Sequence, residues 1–299
     1  MKQFFWLAIL SFSFITGHTQ RTDKKLESKL KEAITGFNGE IGIYVKNLRT
    51  GKIVAINADT VFPTASIVKV PILVGVTSKI QTGELDYYNQ ELRYRDSLAY
   101  SGYDVTANLK DTAKILLKKV IMLMLTTSDN TASLWLQSLA GTGTRINEIM
   151  DSLGLKNTRV NSRTPGRENN RTQYGWGQTT PFEMGTLYEK IYRNEVFSPT
   201  ACDRMMRCLG RNFWDEAEAI SQIPPYIEVF SKNGCVNAVR SEALLVNAPN
   251  NPYVFCIFTK NNKDISWTRN NEAWTLTRKV SALLWDYFEP KDKWVSPVK

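Results

Sequence analysis

The hydrophobic pattern of this chain changes period twice, and the order of those changes limits what it can fold into. Gly39–Leu48 alternates as a strand does (EIGIYVKNL). Arg49-Thr50-Gly51-Lys52 then supplies a turn and Ile53–Asn57 returns, so the two runs read as a hairpin. A charged helix-like stretch, Lys24 to Thr35, precedes them. From Ser66 to about Ile80 the period becomes helical, and residues 110–210 stay so: ILLKKVIMLML, NTASLWLQSLA, and RINEIMDSLG with its glycine stop. At Thr180-Pro181-Phe182-Glu183 another helix begins, with Thr as cap, Pro at the first helical position and Glu three residues on to complete a capping box. Strands return at YIEVFSKNG, SEALLVNA and PYVFCIFTK, and a last apolar helix, WTLTRKVSALLWDYF, closes the chain. The order implies an α+β fold: one antiparallel sheet built from both chain ends, flanked by helices in a three-layer stack, with an all-helical lobe inserted. The α/β lobe is expected over residues 20–62 and 212–299 and the helical lobe over 63–211, with the active site in the cleft between them. Residues 158–179 are polar, rich in Gly and Asn, and read as an irregular loop whose length marks it as functional.

Composition narrows the chemistry. With 42% hydrophobic and 22% charged residues the chain is an ordinary globular one, and four Cys in 299 residues make no disulfide framework. Cys202 and Cys208 fall on different faces of a helix-like stretch, unsuited to pairing with each other, and Cys235 and Cys256 are expected as buried thiols. The net charge of +9 is scattered among acids with no arginine-rich tract, which speaks against nucleic acid as a partner. Residues 1–19 have Lys2, an apolar run from Phe4 to Ile15, and the small residues Gly17 and Thr19 before Gln20, the layout of a cleaved signal peptide. The expectation is export across the inner membrane to the periplasm or beyond, with no stable membrane insertion, as a monomer. The single histidine, His18, lies in that segment, so the mature protein would lack His-based nucleophile activation and His-ligated metal. No metal or organic cofactor is implied.

Three short segments carry the chemistry. Ser66-Ile67-Val68-Lys69 opens a helix, and i,i+3 spacing puts hydroxyl and amine on one face, where a partly dehydrated lysine can take the serine proton. Ser128-Asp129-Asn130 sits between two helical runs. There a serine can pass a proton to a leaving group, an asparagine can hold a substrate amide, and the aspartate can fix the turn. Lys232-Asn233-Gly234 lies on a late strand, offering a positive charge and a glycine that admits substrate along the strand.

Each segment alone is weak, but their conjunction in this order resembles the class A β-lactamase family, over most of the mature chain. The segments GKIVAINADTVFPTASIVKV, LMLTTSDNTASLWL and NEIMDSLGLKNTRV carry the resemblance. It implies a serine β-lactamase-like fold and a hydrolase that opens the β-lactam amide through a Ser66 acyl-enzyme, with Lys69 as proton acceptor and Ser128 as relay to the leaving nitrogen. Asn130 would hold the substrate's amide side chain and Lys232 would attract its carboxylate. The backbone N–H groups of Ser66 and Cys235 would form the oxyanion hole, and Tyr100 takes the place of the family's cleft-wall tyrosine or is a surface aromatic. The sequence departs from the family where it should carry a deacylating Glu: Thr164 stands there, and a threonine hydroxyl is no base near neutral pH. Glu168 lies four residues on, as a replacement base or as an exposed loop carboxylate. Asn233 replaces the usual hydroxyl residue, and Arg240 is either a helper for the substrate carboxylate or a solvent-facing strand arginine. A D-alanyl-D-alanine peptidase or penicillin-binding acyl-transfer enzyme with slow deacylation is the alternative, and a non-catalytic envelope binding protein a second one.

Overall fold

The computed structural model describes residues 21–214 and 218–297. The expected signal peptide lies outside the described residues, within which no helix is long and apolar enough to cross a membrane. In chain order the helices are α1 (Lys24–Ala33), α2 (Lys69–Gln81), α3 (Leu117–Thr126), α4 (Asn130–Leu139), α5 (Thr142–Ser152), α6 (Glu168–Tyr174), α7 (Pro181–Tyr192), α8 (Pro199–Leu209) and α9 (Glu272–Phe288). The strands are β1 (Glu40–Asn47), β2 (Ile53–Ile56), β3 (Phe62–Pro63), β4 (Glu91–Arg93), β5 (Lys114–Leu116), β6 (Arg159–Val160), β7 (Gly177–Thr179), β8 (Val229–Val236), β9 (Val239–Val246) and β10 (Tyr253–Lys260).

The main sheet runs β2-β1-β10-β9-β8 and its neighbours are antiparallel throughout, so both chain ends do build it. Its central strands read as near-continuous apolar runs because helices cover both faces. On one face Ile43, Val45, Leu244, Val246 and Phe255 meet Leu26 and Leu30 of α1 and Val280, Leu284 and Trp285 of α9. On the other, Tyr44, Leu245, Val254 and Phe258 join a core shared with α7 and with α2–α5. Within that core Lys69 through Thr77 of α2 are buried. A helix enclosed on every side loses amphipathic contrast, which is why its first turn can hold a buried lysine beside the sheet.

Two local expectations change. The 158–179 stretch is not an irregular loop: β6 and β7 pair at its base, β7 also pairs with β3, and the seven-residue α6 sits between them. None of the α6 residues is buried, so no apolar period announces the helix. The cap of α7 forms as expected, with Thr180 Oγ1 accepting the Glu183 N–H at 3.1 Å. The Glu183 carboxylate, however, does not return to the cap. It accepts from the Asn157 and Thr158 N–H groups and from both their side chains at 2.7–2.9 Å, tying the start of this segment to α7.

Candidate active site

The nucleophile segment does not enter α2 directly. Ala65–Val68 forms a 3-10 turn and Lys69 is the first residue of the α-helix. In a 3-10 turn side chains at i and i+3 nearly eclipse, and Lys69 Nζ stands 2.9 Å from Ser66 Oγ. Ala65 (φ +43°) and Ser128 (φ +59°) both occupy the left-handed region, a strain that non-glycine residues keep only where the surroundings over-determine it. At Ser128 this turns carbonyl and hydroxyl together toward the lysine, at 2.7 and 3.0 Å from Nζ.

Lys69 is fully buried, and a fourth contact, to Asn130 Oδ1 at 2.8 Å, completes its shell. Its contacts accommodate either protonation state, and burial favours the neutral one. The Ser128 carbonyl and Asn130 Oδ1 can only accept, whereas the two serine hydroxyls can also donate. A neutral amine satisfies this set, with two N–H bonds to the two carbonyls and its lone pair toward a hydroxyl. Burial, reinforced by the nearby Lys232 ammonium, holds the amine well below the usual lysine range, although Asp104 and Asp129 pull the other way.

Asp129 caps α4, accepting Ala132 N–H at 2.7 Å, and its second oxygen takes Thr106 N–H at 2.7 Å. Asp104 is a residue that sequence reasoning missed. Buried, it accepts the Asn130 and Thr131 N–H groups and the Thr131 hydroxyl at 2.7–3.1 Å, so two carboxylates hold the turn that presents Ser128 and Asn130.

Strand β8 forms the facing wall. A methyl at Gly234 would lie 2.4 Å from Thr64 O and 2.9 Å from Ser66 N, so only glycine lets the strand lie against the nucleophile. Ser66 and Cys235 lie between two cavities. The smaller, about 200 Å³, is bounded by Asn130, Tyr100 and Trp176, whose rings meet edge to face at 4.8 Å; Tyr100 is thus a cleft-wall residue. The larger, about 780 Å³, holds Ser128, Asn233 and Gly234. Burial pushes the Cys235 thiol up to about 11, so it stays protonated beside the serine.

Lys232 sits beneath this wall rather than on it. Buried, its Nζ donates to Asn233 O and Oδ1 at 3.0 and 2.9 Å, and burial lowers it to about 8. Asn233 passes the contact on, donating to Glu218 Oε1 at 2.8 Å. Glu218, also unforeseen, lines the larger cavity. Burial raises it to about 7, and Glu242 behind it is held well above the carboxylate range, first by burial and next by the proximity of Glu218.

Both expectations for Arg240 are corrected. It is buried rather than solvent-facing, and its guanidinium donates to the backbone carbonyls of Asn237, Val239, Ile265 and Ser266 rather than to the cleft. Glu168 is not brought to the site. Exposed at the first turn of α6, it turns back to accept Gly166 N–H at 3.1 Å and borders neither cavity. Thr164 is buried on Gly143 with its hydroxyl donated to Ser162 O at 3.0 Å. In the same segment Arg167 binds Asn161 Oδ1 and Gln178 Oε1 at 3.0 and 2.9 Å.

Known proteins share this fold over most of the chain. PBP-A is 26% identical, with a TM-score of 0.79 over 91% of this chain and 98% of that one. A variant of it has been solved as an acyl-enzyme complex with penicillin G. Beta-lactamase VEB-1 from Pseudomonas aeruginosa is 21% identical over 94% of this chain and 96% of its own. A beta-lactamase from Sphaerobacter thermophilus shares the fold at TM-score 0.76, covering 89% of this chain and 97% of its own, with 20% identity. The sequence profile of the beta-lactamase enzyme family matches residues 25–288, and the chain belongs to that family as a serine hydrolase of the class A β-lactamase kind.

Proposed function

We propose that this enzyme is acylated at Ser66 by β-lactams, or by D-alanyl-D-alanine-ended peptides of the cell wall, and releases the acyl group slowly. In the first step neutral Lys69 takes the Ser66 proton as Oγ bonds to the substrate carbonyl carbon. The C–N bond then breaks while Ser128 gives its proton to the leaving nitrogen and recovers one from the Lys69 ammonium. The proton that leaves Ser66 thus ends on the leaving amine, and Lys69 is neutral again. The observation that carries this reading is the enclosed amine with two carbonyl acceptors and two hydroxyls around it.

Slow release rests on what stands where a base is needed. The Thr164 hydroxyl is occupied by Ser162 O, Glu168 is turned away, and among the described residues no carboxylate bonds Ser66 or Lys69. Glu218 lines the larger cavity and bonds Asn233. The leader-like residues 1–19 support export to the periplasm or beyond. A Glu168→Gln variant tests the release step: we expect the acyl-enzyme to decay at the parent rate. A variant that stalls as the acyl-enzyme would make Glu168 the deacylating base.

A further inference from the structure

The larger cavity beside Ser66 is lined by two aromatic pairs, each forming a wall. Phe213 and Trp214 form one, their rings edge to face at 5.1 Å; Trp267 and Trp274 form the other at 6.1 Å. Phe213, Trp214 and Trp267 are 63%, 52% and 63% exposed, an unusual concentration of open aromatic surface in one concavity. Both walls are anchored. Trp214 Nε1 donates to Thr127 O at 3.0 Å. The Arg240 guanidinium lies 4.5 Å from the Trp267 ring and 4.8 Å from that of Trp274, while its nitrogens hold the carbonyls of Ile265 and Ser266, just before Trp267. The two nearby cations do not border the space, and Glu218 is the only charged side chain among the described residues that does. Among the described residues, this side therefore offers ring contact more than charge.

We propose that this cavity is a subsite for a flat aromatic substituent on the amine side of the scissile bond, with Trp267 setting the preference and Arg240 as its positioning residue. The side follows from the acyl-enzyme reading above, on which the assignment rests: this cavity holds Ser128, the donor to the leaving nitrogen, whereas the smaller one holds Asn130. A ring in this cavity can pack against either aromatic pair.

The test uses two cephalosporins identical on the acyl side, bearing either a methyl or a styryl group on the amine-side ring. Their acylation rates are measured on the parent protein, and their non-covalent affinities on Ser66→Ala by calorimetry. We expect the styryl compound to be favoured roughly tenfold in both, as one or two ring contacts supply. Trp267→Ala should bring the ratio to about one, and Arg240→Lys should lower it. A merely structural loss would depress both compounds and leave the ratio intact. A parent ratio near one, or one that survives in Trp267→Ala, would overturn the proposal, and the parent ratio decides alone if the variants do not fold. Absence of acylation by either compound would refute the acyl-enzyme reading, while the affinities to Ser66→Ala would still judge the subsite.

Discussion

Replacing Glu218 by Gln should stabilise this protein above neutral pH and do nothing near pH 4. Glu218 is 5% exposed, its Oε1 accepts from Asn233, and it faces Lys232, Glu242, Arg240 and Arg278. Burial raises its carboxyl from 4.5 to about 7, and Glu242 behind it is also held well above the carboxylate range by burial. Because the folded state holds this proton more tightly than the unfolded chain, stability is fully present below about 4.5. It falls as pH rises toward 7 and stays lower beyond. The interval, in which the opposing pull of Lys232 is already included, corresponds to a ceiling of about 3 kcal/mol. Gln keeps the acceptor for Asn233 and cannot ionise. Thermal unfolding of both proteins across pH 4–8.5 reads the effect, at roughly 2–4 °C per kcal/mol in a chain of this size. The melting temperatures should coincide near pH 4 and separate in favour of the variant at pH 8. A variant less stable than the parent at pH 8 would refute the reasoning, since Glu218 would then be an ionised counter-charge that Lys232 needs.

Two further predictions concern the reacting groups. Acylation should rise with pH through the depressed titration of Lys69, and Lys232→Met should move that rise to higher pH by removing a neighbouring positive charge, whereas Lys232→Arg should not. Stopped-flow acylation profiles decide it, and a shift to lower pH with Lys232→Met would contradict the assignment. Gly234→Ala should slow acylation by about 10²–10³-fold, because the added methyl must push β8 away from Thr64 O and Ser66 N, disturbing one oxyanion donor. An acylation rate within a few-fold of the parent would show that the close approach is not needed.

The proton-transfer centre was legible because its geometry is local. Ser66 and Lys69 are joined by one turn, and Ser128 and Asn130 stand between two strongly periodic helices. What surrounds them was not. Asp104 comes from a polar stretch with no periodicity, and it reaches the Asn130 turn only through the fold. Glu218 is an unremarkable acid until β8 and β9 bring Asn233 and Glu242 beside it. Arg240 alternated like any strand residue, yet its partners at 265–266 arrive from a loop after β10. The order of strands and helices was readable because both faces of the sheet demand apolar runs. The α6 helix was not, because its polar residues bury nothing.

The measurement that tests the central claim most directly is intact-protein mass over time after mixing with a penicillin, with ring opening followed in parallel. A persistent adduct on Ser66 and slow ring opening after the first turnover are the predicted result. Rapid, repeated hydrolysis with no lasting adduct would contradict it, and would mean that a base outside the contacts described here serves the deacylating water.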